Sequence, residues 1–228
     1  DGGNATSIAL QVNCDASGNV AIGGTGGGGG DGKAVHVGSS GVITTQGAHS
    51  TGILAQSVGG GGGAGGDSTT VSVDLSFPTS PEDLIPKPSG SFTLSMGGSG
   101  GAGGSGDTVT VRSDNTITTK GVFATGILAQ SVGGGGGAGG DARSFQIDLS
   151  ANPIDYIPFL DLISFNTTLV FGGDGGAGGS GKAVTVTSSN DISTEGAFAH
   201  GIAAQSVGGG GGAAGSAFTF EFSTTDLP

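Results

Sequence analysis

Cysteine is almost absent from this 228-residue chain: Cys14 stands alone, which excludes an internal disulfide framework and leaves it the role of a small buried hydrophobe. Basic residues are few as well. Six Lys and Arg face 18 Asp and Glu, and a formal charge of -12 repels phosphate backbones and anionic headgroups, so neither nucleic acid nor a membrane surface is an expected partner. Only 11% of residues are charged, against a usual ~25%, so the surface must be built largely of Gly, Ser, Thr and Asn. Long apolar runs are missing. The longest, Tyr156 to Phe165, is broken by Pro158 and Asp161 and falls far short of the ~20 residues of a membrane span. The chain opens on Asp1-Gly2-Gly3 with no basic and apolar leader, so any secretion signal is expected to lie outside these residues or to have been removed.

What the chain has instead is glycine, 54 residues of it; with the 7 prolines, glycine makes up about 27% of the sequence, a composition that reads as disorder unless it is periodic. It is periodic. The string GIxAQSVGGGGGA begins at Gly52, Gly126 and Gly201, at spacings of 74 and 75. Each copy follows an alternating segment that reads as strand, turn, strand: KAVHVGSSGVITTQG, DTVTVRSDNTITTKG and KAVTVTSSNDISTEG. A second glycine tract keeps the same frame, starting at Gly23, Gly97 and Gly172.

The six tract starts lie 36, 38, 36, 39 and 36 residues apart, which suggests a half-repeat of about 37. Each tract leads into a period-two alternation: Val35 and Val37, Val71 and Val73, Val109 and Val111, Phe145 and Ile147, Val184 and Val186, Phe218 and Phe220. The expected fold is therefore all-β, a parallel β-helix or β-solenoid of about six glycine-rich coils spanning residues 23–222, with almost no helix. The chain is read as a single repetitive fragment with units at roughly 1–66, 67–140 and 141–215 and a partial unit at 216–228. Two proline-rich connections, about 77–91 and 150–168, hold six of the seven prolines and are expected to protrude as loops.

The glycine tracts are expected to lie over one another, because without Cβ atoms backbones approach closely and cooperative hydrogen bonding offsets the ordering entropy of glycine. Within GIxAQSV, Ile53, Ala55 and Ser57 share one strand face and Leu54, Gln56 and Val58 the other. Gln56, Gln130 and Gln205 are expected to stack as an amide ladder.

Several apparent motifs fail on their chemistry. GGGGDGKA from Gly27 and GAGGSGKA from Gly176 come close to a phosphate loop, but Ala34 and Ala183 replace the magnesium-holding hydroxyl and a strand follows instead of a helix. The GxSxG match at Gly97 to Gly101 has no strand-to-helix elbow and no base. His36, His49 and His200 are the only histidines, and His49 and His200 stand at different places before GIxAQSV, as exposed turn residues do and a catalytic base does not. Gly26 to Asp31 departs from the calcium nonapeptide at Lys33, and the recurring acids Asp67, Asp141, Asp74 and Asp148 define no ligand set. No catalytic, cofactor-binding or metal-binding residue is assigned, and no cofactor is expected.

AVTVTSSNDISTEG, GIAAQSV and GGGGGAAG together resemble the passenger-domain repeats of large Gram-negative autotransporter adhesins of the type V secretion class, over nearly the whole chain. That resemblance implies a right-handed parallel β-helix outside the cell, held at the outer membrane by a barrel domain not in this chain. It further implies a non-enzymatic stalk or adhesive segment whose partners are a host or cell-surface receptor or neighbouring cells. The open ends of such a fragment add end-to-end self-association to these expectations. The alternatives weighed are a glycine-rich fibre element of a phage or filament, an ice-binding type of solenoid, for which Thr44, Thr45, Thr118 and Thr119 give only short pairs, and a pectate-lyase-like enzyme. The last would need clustered Asp and Arg, and Arg112 and Arg143 are the only arginines.

Overall fold

The computed structural model describes residues 1–12, 16–76, 90–150 and 165–223. Among these the chain is all-β, with parallel strands in several sheets and no helix. Fourteen strands follow in order: β1 (Ala5–Val12), β2 (Ala16–Ile22), β3 (Val35–Thr45), β4 (Ile53–Val58), β5 (Ser68–Ser76), β6 (Gly90–Met96) and β7 (Val109–Thr119) make up the first half. The second half holds β8 (Ile127–Val132), β9 (Ala142–Ser150), β10 (Phe165–Phe171), β11 (Val184–Ser188), β12 (Ile192–Thr194), β13 (Ile202–Val207) and β14 (Ala217–Ser223).

Four sheets result. Sheet A runs β1-β5-β9-β14, sheet B β10-β6-β2, sheet D β13-β8-β4, and in sheet C β7 pairs with β3 on one side and with β11 and β12 on the other. Every pairing is parallel and joins equivalent residues of successive repeats, as in Ile53 to Ile127 to Ile202. The pairing therefore steps by the whole 74- or 75-residue repeat and not by the half-repeat of about 37 expected from the tract spacing. In sheet A, β1 reaches β5 over a shorter interval, Ala5 to Ser68, because the connection after β1 is the shorter one.

The half-repeats do not stack on each other because they face each other. Each repeat passes from sheet A to sheet B, along the first glycine tract to sheet C, back to sheet D, and along the second tract to sheet A again. This makes two layers, one of sheets D and A joined by the second tract, the other of sheets B and C joined by the first. The expected loops at 77–91 and 150–168 begin and end too widely, since Gly90–Met96 and Phe165–Phe171 are strands; residues 77–89 and 151–164, like Cys14, lie outside the described residues.

The two sandwiches are built oppositely. Between sheets C and D the interior has an apolar centre, with Val109, Val111, Ile117, Ile127 and Ala129 fully buried and Ile53 and Ala55 nearly so, and the polar Ser113, Asn115, Thr119 and Ser131 are buried around it. Between sheets A and B it is polar: Ser68, Thr70, Thr93, Ser95, Ser144 and Gln146 are buried while Ile8, Leu10, Phe92 and Phe220 face outward. The alternation is the same in both; the inward set differs. Hydrogen bonds satisfy the polar interior. Gln146 donates from Nε2 to Ser91 Oγ at 2.9 Å and accepts from Thr168 Oγ1 at 2.8 Å, and Asn19 Nδ2 donates to the Val71 carbonyl and to Ser72 Oγ at 3.1 Å each. Ser144 Oγ is the one buried side-chain oxygen without a partner among the described residues.

Candidate functional surfaces

The glycine tracts form the centre of the molecule, and their order has a period of three, that of a polyproline II helix. One glycine in each triplet points across to the facing tract, the next points to the same tract of the preceding repeat, and the third points outward. Burial follows the same count: Gly135 is exposed, Gly136 half-buried and Gly137 buried, and Ala138, Gly139 and Gly140 repeat the series. Hydrogen bonds zigzag through the tracts in unbroken chains. Gly24 donates to Gly3, Gly66 to Gly24, Gly98 to Gly66, Gly140 to Gly98, Gly173 to Gly140 and Gly215 to Gly173, at 2.7 to 2.9 Å. Two further chains run alongside, from Gly30 through Gly60, Gly104, Gly134 and Gly179 to Gly209, and from Gly27 through Gly63, Gly101, Gly137 and Gly176 to Gly212.

Glycine is required here for closeness and not for unusual dihedrals, since Gly41 is the only described glycine with φ in the left-handed region. A Cβ placed on Gly137 would come within 3.0 Å of the Gly63 carbonyl, whereas on Gly135 the nearest atom would be 3.7 Å away. The outward positions are accordingly those that carry side chains: Thr25, Ser99 and Asp174, or Ala64, Ala138 and Ala213. That GGx count was visible in the sequence.

This lattice accounts for the false motifs. In the phosphate-loop-like stretch at Gly176, the amides of Gly176 and Gly179 are spent on Gly137 and Gly134, and Lys182 Nζ lies 3.2 Å from Asp107 in the neighbouring repeat. Ser99 of the GxSxG match is an outward tract residue whose carbonyl accepts from Gly26. Asp31 Oδ1 accepts from the Ser105 amide at 2.7 Å, so this acid caps the next repeat. The recurring acids Asp67 and Asp141 do the same, accepting from the amides of Asp141 and Ser216 at 2.8 and 2.9 Å. Among the described residues no three His, Cys, Asp or Glu side chains gather where they could hold a metal.

Electrostatics follow from these contacts. The Thr108 amide and then Lys182 hold the Asp107 carboxyl below its usual range, and the Ser216 amide and hydroxyl do so for Asp141. Asp74, on the inner side of sheet A beside Asp148, is pushed up by burial first and by its neighbour's charge second.

Rows of like side chains run along the stacking direction. Gln56 Nε2 donates to Gln130 Oε1 at 2.5 Å, and Gln130 to Gln205 at 2.6 Å, making the amide ladder the sequence suggests. Ser57 Oγ donates to the Lys33 carbonyl and accepts from the Asp107 amide, both at 2.8 Å, so the serines beside the ladder tie sheet D to the first tract. A second row, absent from the sequence reading, stacks His49, Phe123 and Phe198 with ring centroids 5.1 Å apart. Each is the third residue of a four-residue turn closed by the amide of Ser50, Ala124 or Ala199, and each has φ near +58°, where glycine is usual. Thr45, Thr119 and Thr194 secure those turns from inside, Thr119 Oγ1 donating to the Ala124 carbonyl at 2.6 Å, while the paired Thr44 and Thr118 face outward. His36 and His200 are exposed and share no site with His49. An open recess by Gly38, Ser39, Ser40, Arg112 and Asp114 marks where the first repeat has small residues and the second large ones.

Comparison with protein families, with curated proteins and with solved structures finds no match to this chain. The class that the fold itself defines is an all-β repeat protein with parallel sheets and a hydrogen-bonded glycine centre.

Proposed function

We propose that this chain is a segment of an extracellular β-solenoid of three full turns, a non-catalytic stalk or adhesive module of the autotransporter passenger type that spaces or mediates contact at a bacterial surface. The observation that carries the reading is the set of unbroken amide-to-carbonyl chains crossing all three repeats, because such a lattice extends by simple addition of repeats. Each added turn lengthens the body by about 4.8 Å, the spacing between hydrogen-bonded strands. The invested chemistry supports the same reading: recurring Asp, Ser and Gln side chains are used to bind one repeat to the next. Contact with a host receptor or with neighbouring cells falls to the outward rows and the connections.

The test is deletion of one repeat, residues 67–140, from the parent protein displayed on cells. A spacer predicts surface display at unchanged level, a body shorter by one turn in electron micrographs, and adhesion that falls with reach. Retention of the parent inside the cell would overturn the localisation. A parent with no outer-membrane barrel and with a trimeric tail-fibre context would replace this reading with that of a fibre element.

A further inference from the structure

The two layers present unequal outer surfaces. On the layer of sheets D and A, the outward residues are Leu54, Gln56 and Val58 with their equivalents, then only glycine and alanine along residues 133–138, then the aliphatic and aromatic rows of sheet A. Leu54 and Val58 are each 56% exposed, Leu10 68% and Phe220 48%. At its tract-to-sheet junction Arg143 lies 2.8 Å from Asp141 and 4.0 Å from Asp67, which leaves one net negative charge there. The other layer is different. Its sheet C turns out His36, Arg112 and Asp114, Asp191 is exposed just before β12, and its tract turns out Asp31 and Asp174, so only sheet B is apolar there.

We propose that the surface running from sheet D over the second glycine tract to sheet A is an interface for a second copy of this chain, paired face to face about a twofold axis near Gly135–Ala138 of the middle repeat. Area supports it. Strands at ~3.3 Å and a tract at ~3.1 Å per residue make the face about 75 Å long, and three rows at ~4.8 Å make it about 14 Å wide, so each copy offers roughly 1,000 Å². A pair then buries about 2,000 Å², the upper end of the standard range for stable interfaces. The outer face of sheet B alone offers about 320 Å², the size of an ordinary patch on a monomer. Shape supports it too. The face is ruled in two directions, by rows along the stacking axis and by the three-residue step of the tract, and the surface whose rulings match is its own copy. A patch meeting itself is the isologous contact of a closed dimer, and the absence of side chains beyond alanine at 133–138 lets the two backbones approach at the centre.

Sedimentation equilibrium of the whole chain should give twice its 21.3 kDa mass. The double variant Leu10→Glu with Leu54→Glu, both exposed and outside the core, should weaken pairing at least about 100-fold, since charges meeting across an apolar centre go unpaired. Val20→Glu with Ile22→Glu, on the outer face of sheet B, should leave it unchanged. Circular dichroism of both variants checks that the sheets remain. In a Cys14→Ser background, Gly135→Cys should cross-link to its own copy, and Ala102→Cys, on the outward side of the opposite tract, should not. A monomer at about 100 μM, a concentration at which an interface of this area holds, would overturn the proposal. So would loss of pairing only in the sheet B variant, or cross-linking as fast through residue 102 as through residue 135.

Discussion

Two glycines in one tract, Gly135 and Gly137, should respond to alanine in opposite directions. A methyl on Gly137 meets the Gly63 carbonyl carbon and oxygen within 3.0 Å, and because both are backbone there is no side chain to swing aside. Relief requires the tracts of the first and second repeats to part, which stretches the bonds from Gly62 to Gly135 and from Gly65 to Ala138, both 2.8 Å. The four residues are exposed or half-buried, so the two bonds cost about 0.5–1.5 kcal/mol each and the overpacking itself about 1–3 kcal/mol, and Gly137→Ala should lose roughly 2–6 kcal/mol. At Gly135 the added methyl points outward and the unfolded chain loses freedom, so Gly135→Ala should gain about 0.4–1 kcal/mol. For a chain of this length a difference of ~4 kcal/mol separates the melting temperatures by about 8–16 °C. Thermal denaturation followed by circular dichroism measures both. Equal shifts in the two variants would refute the claim that the tracts are an ordered lattice in which only every third position is free.

At Phe123, held at φ 58° between two stacked rings, Phe123→Ala should lose about 1–3 kcal/mol of ring contact and keep the strained turn, while Phe123→Gly should recover about 1 kcal/mol of that strain. Glycine less stable than alanine at this position, in denaturant titrations, would show that the turn is unstrained. Asp74 has a folded-state pKa above its ordinary 3.8, so the folded protein binds its proton more tightly than the unfolded chain, and stability falls as pH rises from 3.8 through the raised value. Asp74→Asn should therefore stabilise the protein at pH 7 and lose that advantage below about pH 4, where the unfolded carboxyl is protonated as well; a benefit independent of pH would refute the burial argument.

Much of this architecture follows from the sequence alone, and the limit is instructive. Strand positions were legible because Val35, Val37 and their equivalents alternate, and the Gln ladder because Gln56, Gln130 and Gln205 recur in frame. The need for close-packed glycine was legible as well, and the GGx count in the tracts would have given the three-residue period. Alternation, however, marks two faces without saying which is inside. In GIxAQSV the apolar and small set Ile53, Ala55 and Ser57 is buried, but in sheet A the serines and Gln146 are buried while Phe145 and Ile147 lie on the outer face. The partner sheet decides this: the inner face of sheet B offers Ser91, Thr93 and Thr168, which can satisfy Gln146 and Ser72 and could not satisfy an aromatic row. Spacing misleads for a related reason. Tracts about 37 residues apart look like successive rungs, yet the antiparallel return of the chain sets them in facing layers, and only strands running the same way at the same place, 74 or 75 residues apart, can share a ladder. Residue type and period determined the elements; which of them meet, and which face each one buries, was decided by the path of the chain in three dimensions.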